Sequence, residues 1–169
     1  MVRVEAVLDS WKAVRQDTAL AVEEFPVGDF DFKPVPEVMS FRELAQHILL
    51  AGQALTGAML KGMENLATPE FRAYFQECKA ELPPHGSPAE LSAALRSVLD
   101  ARCAELQAQP AEYYERIITR MDGQRVTRLE MLQMVKEHEL THRSQMFLYL
   151  RLKGLVPAPT RRRQSQAKA

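Results

Sequence analysis

Four histidines, His47, His85, His138 and His142, are the residues of this 169-residue chain whose type and spacing point most directly to chemistry. Two of them lie in K-E-H-E-L-T-H-R-S-Q, Lys136 to Gln145, which contains the H-E-x-x-H signature associated on a helix with zinc peptidases. Four residues apart on a helix, His138 and His142 share one face with Cβ atoms about 6 Å apart, so both imidazoles can reach one ion at about 2.0–2.1 Å. That face also carries Met131, Val135, Met146 and Tyr149, so it points inward. Two imidazoles in a dry interior each need a partner, and a metal ion satisfies both at once.

A peptidase needs a third ligand, commonly His or Glu, downstream of the motif. Residues 143–169 contain no His, Asp or Glu, so the peptidase arrangement cannot be completed from that side. The third ligand must come from upstream, and His47 is the natural candidate, on a second amphipathic helix beside Leu44 and Ala51. Three histidines with one open position describe a catalytic centre better than a closed structural one, which takes four protein ligands. His85, in P-P-H-G-S-P, reads as a solvated loop residue.

Three neighbours of the motif could assist. Glu139 has two readings: a general base, as in zinc peptidases, or half of a surface ion pair with Arg143 at i, i+4. Gln145 lies seven residues past His138, almost in line with it, where it could support a ligand or bond a substrate. Tyr113, Tyr114 and Tyr149 offer phenols that spacing alone does not select. Met131, Met134 and Met146 read as core packing or an adaptable pocket wall. Arg42, Arg143 and Arg151 are available to meet a charged cosubstrate.

The elements that must position these residues are four long amphipathic segments. Three open with a capping box, in which Ser or Thr and a Glu three residues on satisfy each other's backbone N–H groups: Ser40/Glu43, Ser87/Glu90 and Thr127/Glu130. The first helix is predicted from about Glu5 to Phe25, stopped by Pro26. The second runs from the Ser40 box to about Gly62, the third from the Ser87 box to near Pro110, and the fourth from the Thr127 box to Lys153, with Gly154 at its C′ position. A shorter proline-led helix starts at Thr68-Pro69, so the second and third long helices need not be antiparallel neighbours. Before the last helix, Asp122-Gly123 between short β-favouring runs predicts a hairpin. The fold class is therefore all-α, a four-helix bundle with a small β-hairpin before the last helix.

Bulk properties narrow the setting. A chain of this length has room for one core, here residues 1–156, and residues 157–169 read as a basic, disordered tail. Its 22 basic and 22 acidic side chains cancel, which argues against a nucleic-acid or membrane-surface protein. No stretch approaches the roughly 20 apolar residues of a membrane span, and the N-terminal stretch lacks the apolar run of a secretory signal. Cys78 and Cys103 form no C-x-x-C and fit free thiols in a cytoplasmic protein.

Together, S-F-R-E-L-A-Q-H in the second helix, the D-G hairpin and H-E-L-T-H-R-S-Q in the fourth resemble the DinB-like superfamily of metal-binding four-helix proteins, over about residues 5–154. That is the DNA-damage-inducible, hydrolase-like family, and its members include thiol-dependent enzymes. The resemblance implies up-down-down-up topology, frequent homodimers, and a ligand set mapping onto His47, His138 and His142. One departure is visible: the family often reads Arg, Gly, Gln after the last ligand, where this chain has Arg143, Ser144, Gln145. The expected function is a metal-dependent enzyme acting on a small molecule, either a hydrolase or a transferase using a low-molecular-weight thiol. The alternative is a non-catalytic, stress-related metal-binding dimer. Imidazole suits several metals, zinc or nickel being favoured, and the open position is expected to take a water or a substrate thiolate.

Overall fold

A computed structural model describes residues 3–83 and 86–167; His85 lies outside them. In chain order the elements are α1 (Val4–Glu24), a single 3₁₀ turn (Val27–Asp29), α2 (Phe41–Leu60), α3 (Pro69–Glu81), α4 (Pro88–Gln107), α5 (Ala111–Glu115), β1 (Ile117–Thr119), β2 (Arg125–Thr127), α6 (Arg128–Leu152) and α7 (Ala158–Gln166). All three capping boxes form: Ser40, Ser87 and Thr127 each accept from the backbone N–H of the Glu three residues on, and each Glu accepts in return. A cap of this kind stabilises a helix by about 1 kcal/mol, enough to fix where each helix starts. Gly154 ends α6 with φ 75°, a left-handed conformation that glycine adopts without a Cβ penalty.

The four long helices pack so that α1 and α2 each lie against α4 and α6, placing α1 and α2 on a diagonal. Their directions follow from two apolar clusters. Val7, Leu8 and Trp11 of α1 share one cluster with Leu55 and Met59 of α2, Leu99 and Cys103 of α4, and Met131 and Val135 of α6. Ala19 and Val22 share the other with Phe41 and Leu44, with Leu91 and Leu95, and with Met146 and Leu150. Early α1 therefore meets late α2, late α4 and early α6, which is up-down-down-up. Between the two clusters, near the middle of the bundle, lie Arg15, Thr18, His47, His138 and Glu139.

The additions to the bundle matter for the site. The short helix α3 lies along the outside of α2, where Cys78, Tyr74 and Phe75 pack on Leu50 and Ala54. Gly57 permits this approach, since a Cβ there would stand 2.2 Å from the Tyr74 hydroxyl. The two strands pair antiparallel in the register Ile117 with Thr127, Ile118 with Val126 and Thr119 with Arg125. Gly123 (φ 83°) turns the connecting loop, as the Asp122-Gly123 pair predicts.

The expectation of a disordered tail is corrected. Residues 158–166 form α7, which lies against α1. Arg161 pairs with Glu24, and Arg162 with Asp17 at 2.6 Å. Those carboxylates lie well over a hundred residues upstream, so nothing local in the tail announces them. Among the described residues, no helix is long and apolar enough to cross a membrane.

Candidate metal centre

The three imidazoles that the spacing selects come together. His47 projects from α2 between the buried Leu44 and Ala51, while His138 and His142 project from α6, the helix packed against it. His138 Nε2 stands 3.0 Å from His47 Nε2 and 3.1 Å from His142 Nε2. One ligand atom from each residue lies within 4.8 Å of the others, the only such three-residue group among the described residues.

These nitrogens suit one ion better than one another. Each imidazole nitrogen carries either one N–H or one lone pair, so His138 Nε2, facing two other ring nitrogens, can make a directed hydrogen bond with only one of them. An ion bound at about 2.0–2.1 Å with bond angles of about 90–110° holds its nitrogen ligands about 2.9–3.4 Å apart, which brackets both observed distances. The donor set therefore fits a divalent metal.

Proton positions favour the same reading. His142 Nδ1 lies 2.8 Å from Gln145 Oε1. An amide oxygen only accepts, so Nδ1 carries the proton and the Nε2 lone pair is directed at the cluster. Burial holds His138 down at about 4, with the neighbouring His142 and His47 charges adding to the effect and Glu139 opposing it. Burial, and then His142, also lowers His47 below its ordinary value. Both rings are therefore neutral at pH 7, the form that binds metal.

Glu139 sits elsewhere than either sequence reading places it. It is 2% exposed, and its carboxylate accepts from Trp11 Nε1 at 2.6 Å, from Arg15 Nε and Nη2 at 2.8 Å each, and from Thr18 Oγ1 at 2.9 Å. With four donors on two oxygens it forms a buried strut between α6 and α1, and its geometry does not offer a free base to the imidazoles. Nor does it pair with Arg143, whose partner is Asp17 at 3.5 Å. Both corrections have one cause: Glu139 faces α1, and α1 supplies Arg15, which is 3% exposed and needs a counter-charge.

The other candidates disperse. Arg42 pairs with Asp31, and Arg151 donates to the Phe147 carbonyl and to Thr160. Tyr149 donates to the Met39 carbonyl and Tyr114 to the Leu106 carbonyl, while the buried Tyr113 hydroxyl has no hydrogen-bond partner among the described residues. None of these phenols bonds an imidazole.

Two cavities flank the histidines. One of about 500 Å³ lies between α2 and α3 and has His47 in its wall with Leu50, Phe75 and Lys79. The other, about 160 Å³, lies under the hairpin tip and is walled by His138, Leu55, Met131 and Met134, so two of the methionines read as an adaptable wall do line a cavity. Sequence reasoning did not reach the Trp11, Arg15 and Thr18 cradle or Lys79. The one available signal for the cradle was Arg15 and Thr18 beside an apolar stripe of the first helix, with no nearby carboxylate on that face.

Comparison with known proteins bears on this arrangement. A family model described as the DinB superfamily matches residues 10–146. The uncharacterised protein YjoA of Bacillus subtilis is 25% identical over 161 residues, which are 94% of this chain and 96% of YjoA. Its crystal structure, described as DinB-like, superposes with a TM-score of 0.67 at 24% identity, covering 88% of this chain and 91% of that one. YfiT, also of Bacillus subtilis and described as a probable metal-dependent hydrolase with an unusual four-helix bundle topology, gives 0.68 at 16% identity, covering 90% and 88%. The mycothiol-dependent maleylpyruvate isomerase gives 0.63 at 13% identity, covering 86% of this chain and 61% of the isomerase.

Proposed function

As the chain belongs to the DinB superfamily, we propose that it is a metal-dependent enzyme acting on a small molecule, either a hydrolase or an S-transferase using a low-molecular-weight thiol. The observation that carries this reading is the convergence of three imidazole Nε2 atoms from α2 and α6, with His47 in the wall of a cavity of about 500 Å³, large enough for a small ligand. Support from relatives is of the same kind, since YfiT is described as a probable metal-dependent hydrolase and the isomerase as mycothiol-dependent.

In this reading His47, His138 and His142 hold the ion, zinc or nickel, through Nε2. Once bound, the ion would supply Lewis-acid polarisation to a ligand at its remaining position. The chain's own contribution is orientation. Gln145 keeps the proton on His142 Nδ1, and the Glu139 strut to Arg15, Trp11 and Thr18 fixes α6, and with it two ligands, against α1. Arg143 acts through Asp17 on the same helix pair. A peptidase reading gains no support, because residues 143–169 hold no His, Asp or Glu and Glu139 is committed to the strut.

The protein also fits a homodimer, since Leu148 and Leu152 leave an apolar stripe exposed on α6. A non-catalytic metal-binding dimer is the second reading, and that stripe is the observation that favours it. Metal content, sedimentation, and turnover of activated esters and of aryl halides with glutathione or mycothiol, with and without chelator, separate the two. Chelator-sensitive turnover supports the enzyme. Metal-dependent dimerisation with no turnover on either panel supports the second reading.

A further inference from the structure

The cavity between α2 and α3 has a composition that the metal centre does not require. Glu43, Gln46, His47 and Leu50 supply one wall from α2, and Phe75, Gln76 and Lys79 supply the facing wall from α3, with Leu82 and Pro83 closing one end. Leu50, Phe75, Leu82 and Pro83 make much of this surface apolar. Gln46, Gln76 and Lys79 also line it, the last two exposed to solvent, and none has a hydrogen-bond or ionic partner among the described residues. Gln46 is half-buried and its carboxamide keeps access to solvent, so it is free to meet a ligand.

The charge balance is one-sided. Glu43 is already engaged, accepting from the Ser40 backbone N–H at 2.7 Å and pairing with Lys33 at 3.0 Å. Its carboxylate therefore does not pair with Lys79, whose exposed ammonium has no ionic partner among the described residues. Phe75 and Lys79 are four apart on α3, so the ammonium group lies one turn along the same face from the ring. A volume of about 500 Å³ is within the range of small-molecule sites.

We propose that this cavity binds an elongated, partly apolar carboxylate, whose carboxyl group pairs with Lys79, whose body lies on Phe75, Leu50 and Leu82, and whose other end is directed at His47. Gln46 and Gln76 meet polar groups along its length. This names the substrate class of the proposed enzyme and rests on that reading only for the reaction, because the binding site is complete without the ion.

The test is calorimetric titration of metal-stripped protein with phenylbutyrate and its neutral amide at low ionic strength. Stripping matters because a bound ion could itself take the carboxylate. Wild type is expected to bind the acid about threefold tighter than the amide, the range of one exposed charge pair. Lys79→Met should bring that ratio to about one with the amide unaffected. Gln76→Trp, at an exposed position, should fill the cavity and weaken both probes about fivefold or more. Equal binding of acid and amide by wild type, binding of neither, a preference that survives Lys79→Met, or affinity untouched by Gln76→Trp would each overturn the proposal. A protein that takes up metal normally but shows no such preference refutes this inference alone. One that shows the preference but takes up no metal refutes the catalytic reading alone.

Discussion

Replacing Glu139 by Gln tests whether this residue is a strut or a base. The substitution keeps the shape and removes the charge, leaving Arg15, 3% exposed, without a counter-charge and with the Leu95 carbonyl and a single amide oxygen to accept from it. Four donors converge on the present carboxylate, and an amide nitrogen in place of one oxygen turns at least one of those contacts into two donors facing each other. Breaking a buried pair by removing one partner costs about 3–5 kcal/mol. In a chain of this length each kcal/mol shifts the melting temperature by about 2–4 °C, so Tm should fall by about 6–20 °C. Differential scanning calorimetry of metal-free wild type, Glu139→Gln, Arg15→Met and the double variant forms a cycle. The coupling between the two sites should exceed about 1.5 kcal/mol, because the second change removes the charge that the first left uncompensated. A Glu139→Gln protein melting within about 2 °C of wild type, with turnover abolished and metal retained, would refute the strut and restore the base.

Three other outcomes follow from the same geometry. Gln145→Leu releases the His142 Nδ1 proton and should weaken metal binding about 10–100-fold by competition with a chromophoric chelator, with little change in Tm. The metal-free protein should lose stability as pH falls: the unfolded chain binds protons at His138 and His47 near 6.5, whereas folded His138 does so only near about 4 and folded His47 below its ordinary value. The unfolded state then holds more protons in that window, so stability is full above about pH 6.5 and declines toward pH 4, a slope that His138→Leu should reduce in urea titrations. Tyr113→Phe should be neutral or slightly stabilising by thermal melt, since the buried hydroxyl it removes has no hydrogen-bond partner among the described residues.

What the sequence discloses depends on the range of each interaction. Capping boxes and the Asp122-Gly123 turn act within four residues, so helix starts and the hairpin were legible from composition and spacing. His138 and His142 are local in the same sense, and His47 became legible because residues 143–169 hold no alternative ligand. Glu139 was misread because its partners lie 121 to 128 residues away on α1, and the motif around it suggests a different job. The tail was misread for the same reason, its arginines being held by Glu24 and Asp17. Lys79 became informative only once α3 was laid along α2, since on its own helix it is an ordinary last-turn lysine.

The central claim is that His47, His138 and His142 form one metal site spanning α2 and α6. Equilibrium dialysis against zinc and nickel, read by elemental mass spectrometry on wild type and on each single His→Ala variant, tests it most directly, with circular dichroism confirming helix content. The account predicts one ion per chain in wild type and loss of most of that affinity in all three variants, His47→Ala included. Uptake unchanged by His47→Ala, or no uptake by wild type at any metal concentration that leaves it folded, would contradict it.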